Sequence, residues 1–146
     1  RGLGDVYKRQ AQSDAAVAQI EASGDIREVM TTAAKRMVRF FMSPVGIQVY
    51  RIVVGESQRF PEIGREFYES GPARVHEILR QFLQRAVDDG KLKIDDVDLA
   101  ADQLPELCKA GLHLKMVLGL REPPTEEEID RVIDGAVDMF LSRYGV

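Results

Sequence analysis

The chain has 146 residues, 45% of them hydrophobic and 30% charged, a balance that suits one globular domain with a sizeable core. Its formal charge is -4, and without the first ten residues 17 basic groups face 23 acidic ones, or -6, which makes a poor surface for nucleic-acid phosphates. No apolar run approaches the roughly 18 residues of a membrane span, no signal-peptide core opens the chain, and the single Cys108 cannot form an internal disulfide, so a cytosolic setting is expected.

The opening RGLGDVYKRQ stands apart from the rest of the chain: it has no initial methionine, and its glycines and basic cluster give way at Ala11 to alanine-rich, helix-forming sequence. It resembles translated adapter read-through, so residues 1–10 are expected to be non-native and residues 11–146 to be the domain. From Ala11 the 3.6-residue period recurs while strand alternation never persists, which predicts an all-α bundle of about six helices. Residues 11–23 read as the end of one helix, stopped by Gly24, and Asp25 as the cap of the next. That next helix places Ile26, Val29, Met30, Ala33, Met37, Val38 and Phe41 on one face. Ser43-Pro44 then ends it and starts another, serine as N-cap and proline at the first helical position.

The segment PVGIQVYRIVVGES is apolar nearly all round and is expected to lie inside. A short helix, PEIGREFYES, is broken at Gly71-Pro72, and the helix after it carries a stripe of Val75, Ile78, Leu79, Phe82, Leu83 and Ala86 before Gly90 stops it. Beyond KLKIDD, a longer helix starts near Asp96 or Asp98 and runs through LAADQLPELCKAGLHLKMVLG. Pro105 within it predicts a kink or a later start. The last helix opens on a Thr125 to Glu128 capping box and presents Ile129, Val132, Ile133, Ala136, Val137, Phe140, Leu141 and Tyr144 before Gly145.

Small residues interrupt the apolar faces of the last two helices, Ala110 and Gly111 in one, Gly135 and Ala136 in the other. Two such helices per subunit can pair across a two-fold axis as a four-helix bundle, with Gly111, Leu114, Leu118, Ile129, Ile133, Ala136, Val137 and Phe140 at the interface. The same pattern equally fits two helices that serve only their own core.

The stretches GESQRFPEIGREFYESGPARV, DLAADQLPELCKAGLHLKMVLGL and PPTEEEIDRVIDGAVDMFLSRYG resemble the C-terminal regulatory domain of TetR/AcrR-type transcriptional repressors, in particular the AefR-like branch. The resemblance covers nearly everything from Ala11 onward and departs at Pro105. It implies a homodimer that senses a small hydrophobic effector in a cavity enclosed by the middle helices. It also implies that DNA is bound only through an N-terminal helix-turn-helix absent from this sequence, with residues 11–23 resembling the end of the connecting helix. Candidates for the cavity wall are Met37, Phe41, Tyr50, Val53, Val54, Phe67, Tyr68, Phe82, Leu112 and Met116, with Tyr50, Tyr68, His76 and His113 as polar groups that orient a ligand. For each of them plain core packing is the competing reading.

Catalysis finds no support. One cysteine and two histidines supply no HExxH or CxxC spacing, and neither GxSxG nor a phosphate-binding glycine loop occurs, so no metal and no cofactor are expected. The stretch RAVDDGKLKIDD places Arg85 and Val87 where a calcium loop needs oxygen ligands. Cys108, on an apolar helix face, reads as inert packing. The rival to a sensing domain is an all-helical protein-interaction module without a cavity, and the interior discriminates the two.

Overall fold

Proline and glycine set the helix boundaries in the computed structural model, which describes residues 24–146. The segments 1–10 and 11–23 lie outside the described residues. Among the described residues seven helices run in order: α1 (Ile26–Phe41), α2 (Pro44–Glu56), α3 (Pro61–Ser70), α4 (Pro72–Asp88), α5 (Val97–Cys108), α6 (His113–Val117) and α7 (Glu126–Tyr144). Proline occupies the first turn of α2, α3 and α4, where its missing N–H costs nothing. Ser43 caps α2 by accepting from the Gly46 amide at 3.1 Å, and Asp96 caps α5 by accepting from the Leu99 amide at 3.0 Å. The expected capping box is present: Glu128 N donates to Thr125 Oγ1 at 3.1 Å and Thr125 N to Glu128 Oε1 at 2.9 Å. Asp25 does stand at the N-cap of α1, but its side chain makes no capping hydrogen bond.

One core forms where α1, α4, α5 and α7 meet, around Met30, Val38, Leu83, Leu104, Cys108, Ile133 and Phe140. Full burial of a side chain of this size contributes about 1.5–3 kcal/mol. Outside that contact α1 and α7 run antiparallel under a ladder of ion pairs. Arg27 meets Asp138, Lys35 meets Asp130 at 3.1 Å, and Arg39 meets Glu126 at 2.5 Å. The connector after Gly90 buries Leu92 and Ile94 alternately, and Lys93 N donates to Tyr144 O at 2.7 Å, clasping it to the end of α7.

Two expectations about the helices fail: that the segment after Ser43 lies inside, and that one helix runs on from near Asp96 or Asp98 to Gly119. The segment read as interior is α2, yet only Gly46, Ile47 and Val49 on it are buried, while Val45, Ile52 and Val54 are exposed. It is backed by α3, α6 and the end of α1, and nothing among the described residues covers its other side. Pro105 neither breaks α5 nor delays its start. The interruption falls after Cys108, at Gly111, whose φ of +75° a residue with a Cβ rarely adopts. The long helix expected from the periodicity is therefore two, α5 and the short α6, and Gly111 lies at the exposed turn between them rather than on a packing face.

Candidate functional site

A cavity of about 200 Å³ opens where the end of α1 meets α2, α3, α4, α5 and α6. Six of the twelve residues expected to line it do so: Phe41, Tyr50, Phe67, Tyr68, His76 and His113. They come from α1, α2, α3, α4 and α6, because each of these helices turns an aromatic side chain toward the same space. The Tyr50 and His113 rings meet edge to face, 4.7 Å between centroids.

The other six expected residues point elsewhere. Leu112 and Met116 are buried in the main core and Phe82 packs against it, because the broad apolar face of each helix serves that core before the cavity; Met37 is buried outside that cluster. Val54 is 59% exposed on the open side of α2, and Val53 is half-buried without reaching the cavity wall. Pro72, Val75, Ala101, Asp102, Pro105, Glu106 and Lys109 complete the wall and were not expected there. Asp102, Glu106 and Lys109 carried a signal, since spacings of three and four residues put them on one face of a helix. That face reads as solvated until α4 is known to stand opposite.

The charged wall residues are paired among themselves. His76 Nε2 donates to Asp98 Oδ1 at 2.8 Å, and its Nδ1 lies 2.8 Å from Asp102 Oδ1, an ion-pair contact poorly aligned for a hydrogen bond. Asp98 and Asp102 are one helical turn apart, so a carboxylate stands at each edge of the ring. The hydrogen bond to Asp98 accordingly raises the His76 pKa against the opposing effect of burial, with the Asp102 charge adding to the rise. Because the carboxylates address opposite nitrogens, no single point suits a metal ion shared by the three. Lys109 pairs with Glu106 at 3.1 Å and sits 5.6 Å from the centre of the Phe41 ring. His113 behaves oppositely to His76: burial, and then the Lys109 charge, push its pKa down.

Arg51 fixes α6 beside the cavity. Its Nε donates to Val117 O at 2.9 Å and its Nη2 to Met116 O at 2.8 Å, putting a cation on the carbonyl end of the helix. On another side of α5 an open groove runs between α5 and α7, lined by Gln103, Leu107, Ala110, Met139 and Arg143 among others. The expected interface set splits here. Ile129, Ile133, Ala136, Val137 and Phe140 are buried in the core of this chain by α1 and α5, while Gly111, Leu114 and Leu118 are exposed.

Residues 28–146 match the family described as the AefR-like transcriptional repressor, C-terminal domain. The chain belongs to that TetR-type family. A solved structure of the flavonoid-responsive regulator FrrA is 31% identical, covering 97% of this chain and 72% of its own, with a TM-score of 0.78. A TetR-family regulator from Mesorhizobium loti superposes with a TM-score of 0.91 at 20% identity over 99% of this chain and 72% of its own. Another from Pseudomonas syringae pv. tomato gives 0.71 at 22% identity over 96% and 72%. At those identities the last two speak for the fold alone. No curated protein matches the chain significantly. The chain is thus the C-terminal domain of a TetR-type transcriptional regulator and not an enzyme. Regulators of this family typically dimerise and bind DNA through an N-terminal domain.

Proposed function

We propose that this TetR-type domain senses a small, largely apolar molecule in the cavity between α1 and α6, and that it dimerises through the exposed stripe on α5, α6 and α7. The cavity carries the reading: about 200 Å³ walled by Phe41, Tyr50, Phe67 and Val75, with a few polar heads, has the make-up of a ligand pocket. A relative named for its response to flavonoids adds support for an aromatic effector. The stripe is Ala110, Leu114 and Leu118, with half-buried Leu107, on one side and Met139 with Gly135 on the other, apolar or small residues that α1 and α4 do not fully cover. A bound effector alters DNA binding only by preferring one arrangement of the dimer over another. A regulator that acts on DNA places the setting in the cytoplasm in this reading.

Thermal unfolding with a panel of small aromatic molecules tests the sensing half. A ligand at 100 times its Kd stabilises by about 2.7 kcal/mol, a clear rise in Tm. Val75→Trp, which fills the cavity, should keep the fold and abolish the rise. A panel that raises Tm for neither protein, or equally for both, overturns the cavity as the site.

A further inference from the structure

We infer that the cavity selects an uncharged phenol of a single ring over aromatic acids and amines of the same size, an inference that rests on the sensing role proposed above. Size sets the first limit. Drug-sized ligands occupy pockets of about 300–1,000 Å³, and an apolar cavity of about 150 Å³ holds benzene. At about 200 Å³ this one, open to solvent on one side, has room for a benzene ring with one or two small substituents.

Charge sets the second limit. Every charged side chain in the wall has its partner within the protein: His76 with Asp98 and Asp102, and Lys109 with Glu106. A carboxylate entering the cavity meets no free cation and faces Asp102 and Glu106. An ammonium ion meets no free carboxylate and faces Lys109. Either would stand beside a like charge with no unpaired counter-charge to offset it.

The uncharged polar groups are in the opposite condition. Among the described residues, neither the Tyr50 hydroxyl nor the His113 imidazole makes a side-chain hydrogen bond, and the two rings meet edge to face. Both belong to the cavity wall. Burial and the nearby Lys109 disfavour protonation of His113, which leaves its ring with one donor and one acceptor nitrogen. A phenol hydroxyl matches this pair, donating to the imidazole and accepting from the tyrosine, while its ring meets Phe41, Phe67 and Val75. Pro105 adds to the same wall. Lacking an N–H, it leaves the Ala101 carbonyl without its helical donor, a further acceptor in a residue that lines the cavity.

Isothermal titration of the protein with p-cresol, toluene, benzoate and benzylamine tests the inference. The expected order is p-cresol about tenfold tighter than toluene, as one or two hydrogen bonds would give, with benzoate and benzylamine each more than about tenfold weaker than p-cresol. His113→Phe and Tyr50→Phe, two independent variants that keep the ring contact, should each shrink the advantage of p-cresol severalfold and leave toluene unchanged. Benzoate or benzylamine binding as tightly as p-cresol overturns the inference, as does a p-cresol to toluene ratio unaltered in both variants. Toluene binding without any preference for p-cresol also removes the inference while sparing the sensing role. Failure of all four to bind overturns the sensing role itself.

Discussion

His76 and His113 line the same cavity with their pKa values displaced in opposite directions, and the signs predict opposite pH dependences. His76 is raised in the folded state, so its contribution to stability is fully present below the ordinary value of about 6.5 and is lost as pH climbs through the raised one. His113 is lowered, so the folded state loses ground as pH falls below about 6.5, where the unfolded chain takes up the proton more readily. In the wild type the two partly cancel. His76→Gln should therefore leave a Tm that rises with pH across the range around 6.5, and His113→Phe one that declines, both read by thermal scans at constant ionic strength. Equal slopes in the two variants would contradict the assignment. Cys108, fully buried, has its thiol pushed up to about 12 by that burial, so it should resist a thiol reagent at neutral pH until the protein is unfolded. Both histidines were legible in the sequence as polar groups beside apolar helices. Their fates were not, because the pKa of each depends on which charges lie across a helix-helix contact. Asp98 is 22 positions from His76 and becomes its partner only through the packing of α4 on α5.

Helix boundaries were the most legible feature of the elements, and the reason is locality. Ser43-Pro44, Gly71-Pro72, Gly90 and Thr125 to Glu128 act on the backbone within a turn of themselves, so tertiary context has little to override. Thr125→Ala should cost about 1 kcal/mol in chemical denaturation, the usual value of a lost N-cap. Gly46→Ala should cost more, because a Cβ there would stand 2.3 Å from the Phe40 carbonyl oxygen and force α1 and α2 apart at their 64° bend. At Gly111 the added methyl group meets open space, and only the positive φ opposes it, so Gly111→Ala should cost about 1–2 kcal/mol. The pattern misled at α2 and at Pro105 for different reasons. An all-round apolar helix states what could be buried, but the number of neighbours available to bury it is a property of the whole fold, and among the described residues α2 has too few. Pro105 forfeits one hydrogen bond near the end of α5, whereas Gly111 turns the backbone, and periodicity alone ranks the two wrongly.

At the scale of the whole molecule, the residues that the sequence pattern groups into one apolar surface divide into an interior set and an exposed set, and the two should respond to substitution differently. Leu114 and Met139 are 68% and 62% exposed, so Leu114→Glu or Met139→Glu should leave Tm nearly unchanged while light scattering at micromolar concentration falls from dimer to monomer mass. Ile133 is fully buried, and Ile133→Ala should do the reverse, lowering stability by about 2–5 kcal/mol without a specific effect on assembly. A monomeric wild type would remove the dimer proposal. The heptad-like stripe on α7 could not reveal this division beforehand, since Ile129, Ile133 and Phe140 look as fit for a partner as for α1. What decides is that α1 lies against them in the same chain.

The ion-pair ladder between α1 and α7 has a consequence for which insertions and deletions the domain tolerates. As residue numbers rise from Arg27 through Lys35 to Arg39, their partners fall in equal steps from Asp138 through Asp130 to Glu126. One antiparallel register satisfies all three pairs. Removing a single residue between Asp130 and Asp138 would turn the end of α7 by about 100°, carrying Asp138 away from Arg27 and Phe140 out of the core. Removing one between Gly119 and Pro124 leaves the spacing within α7 intact, so the helix can keep its register and the loop absorbs the change. Among chains that share this fold, length differences should therefore collect in the loop before α7 and be absent from α7 itself.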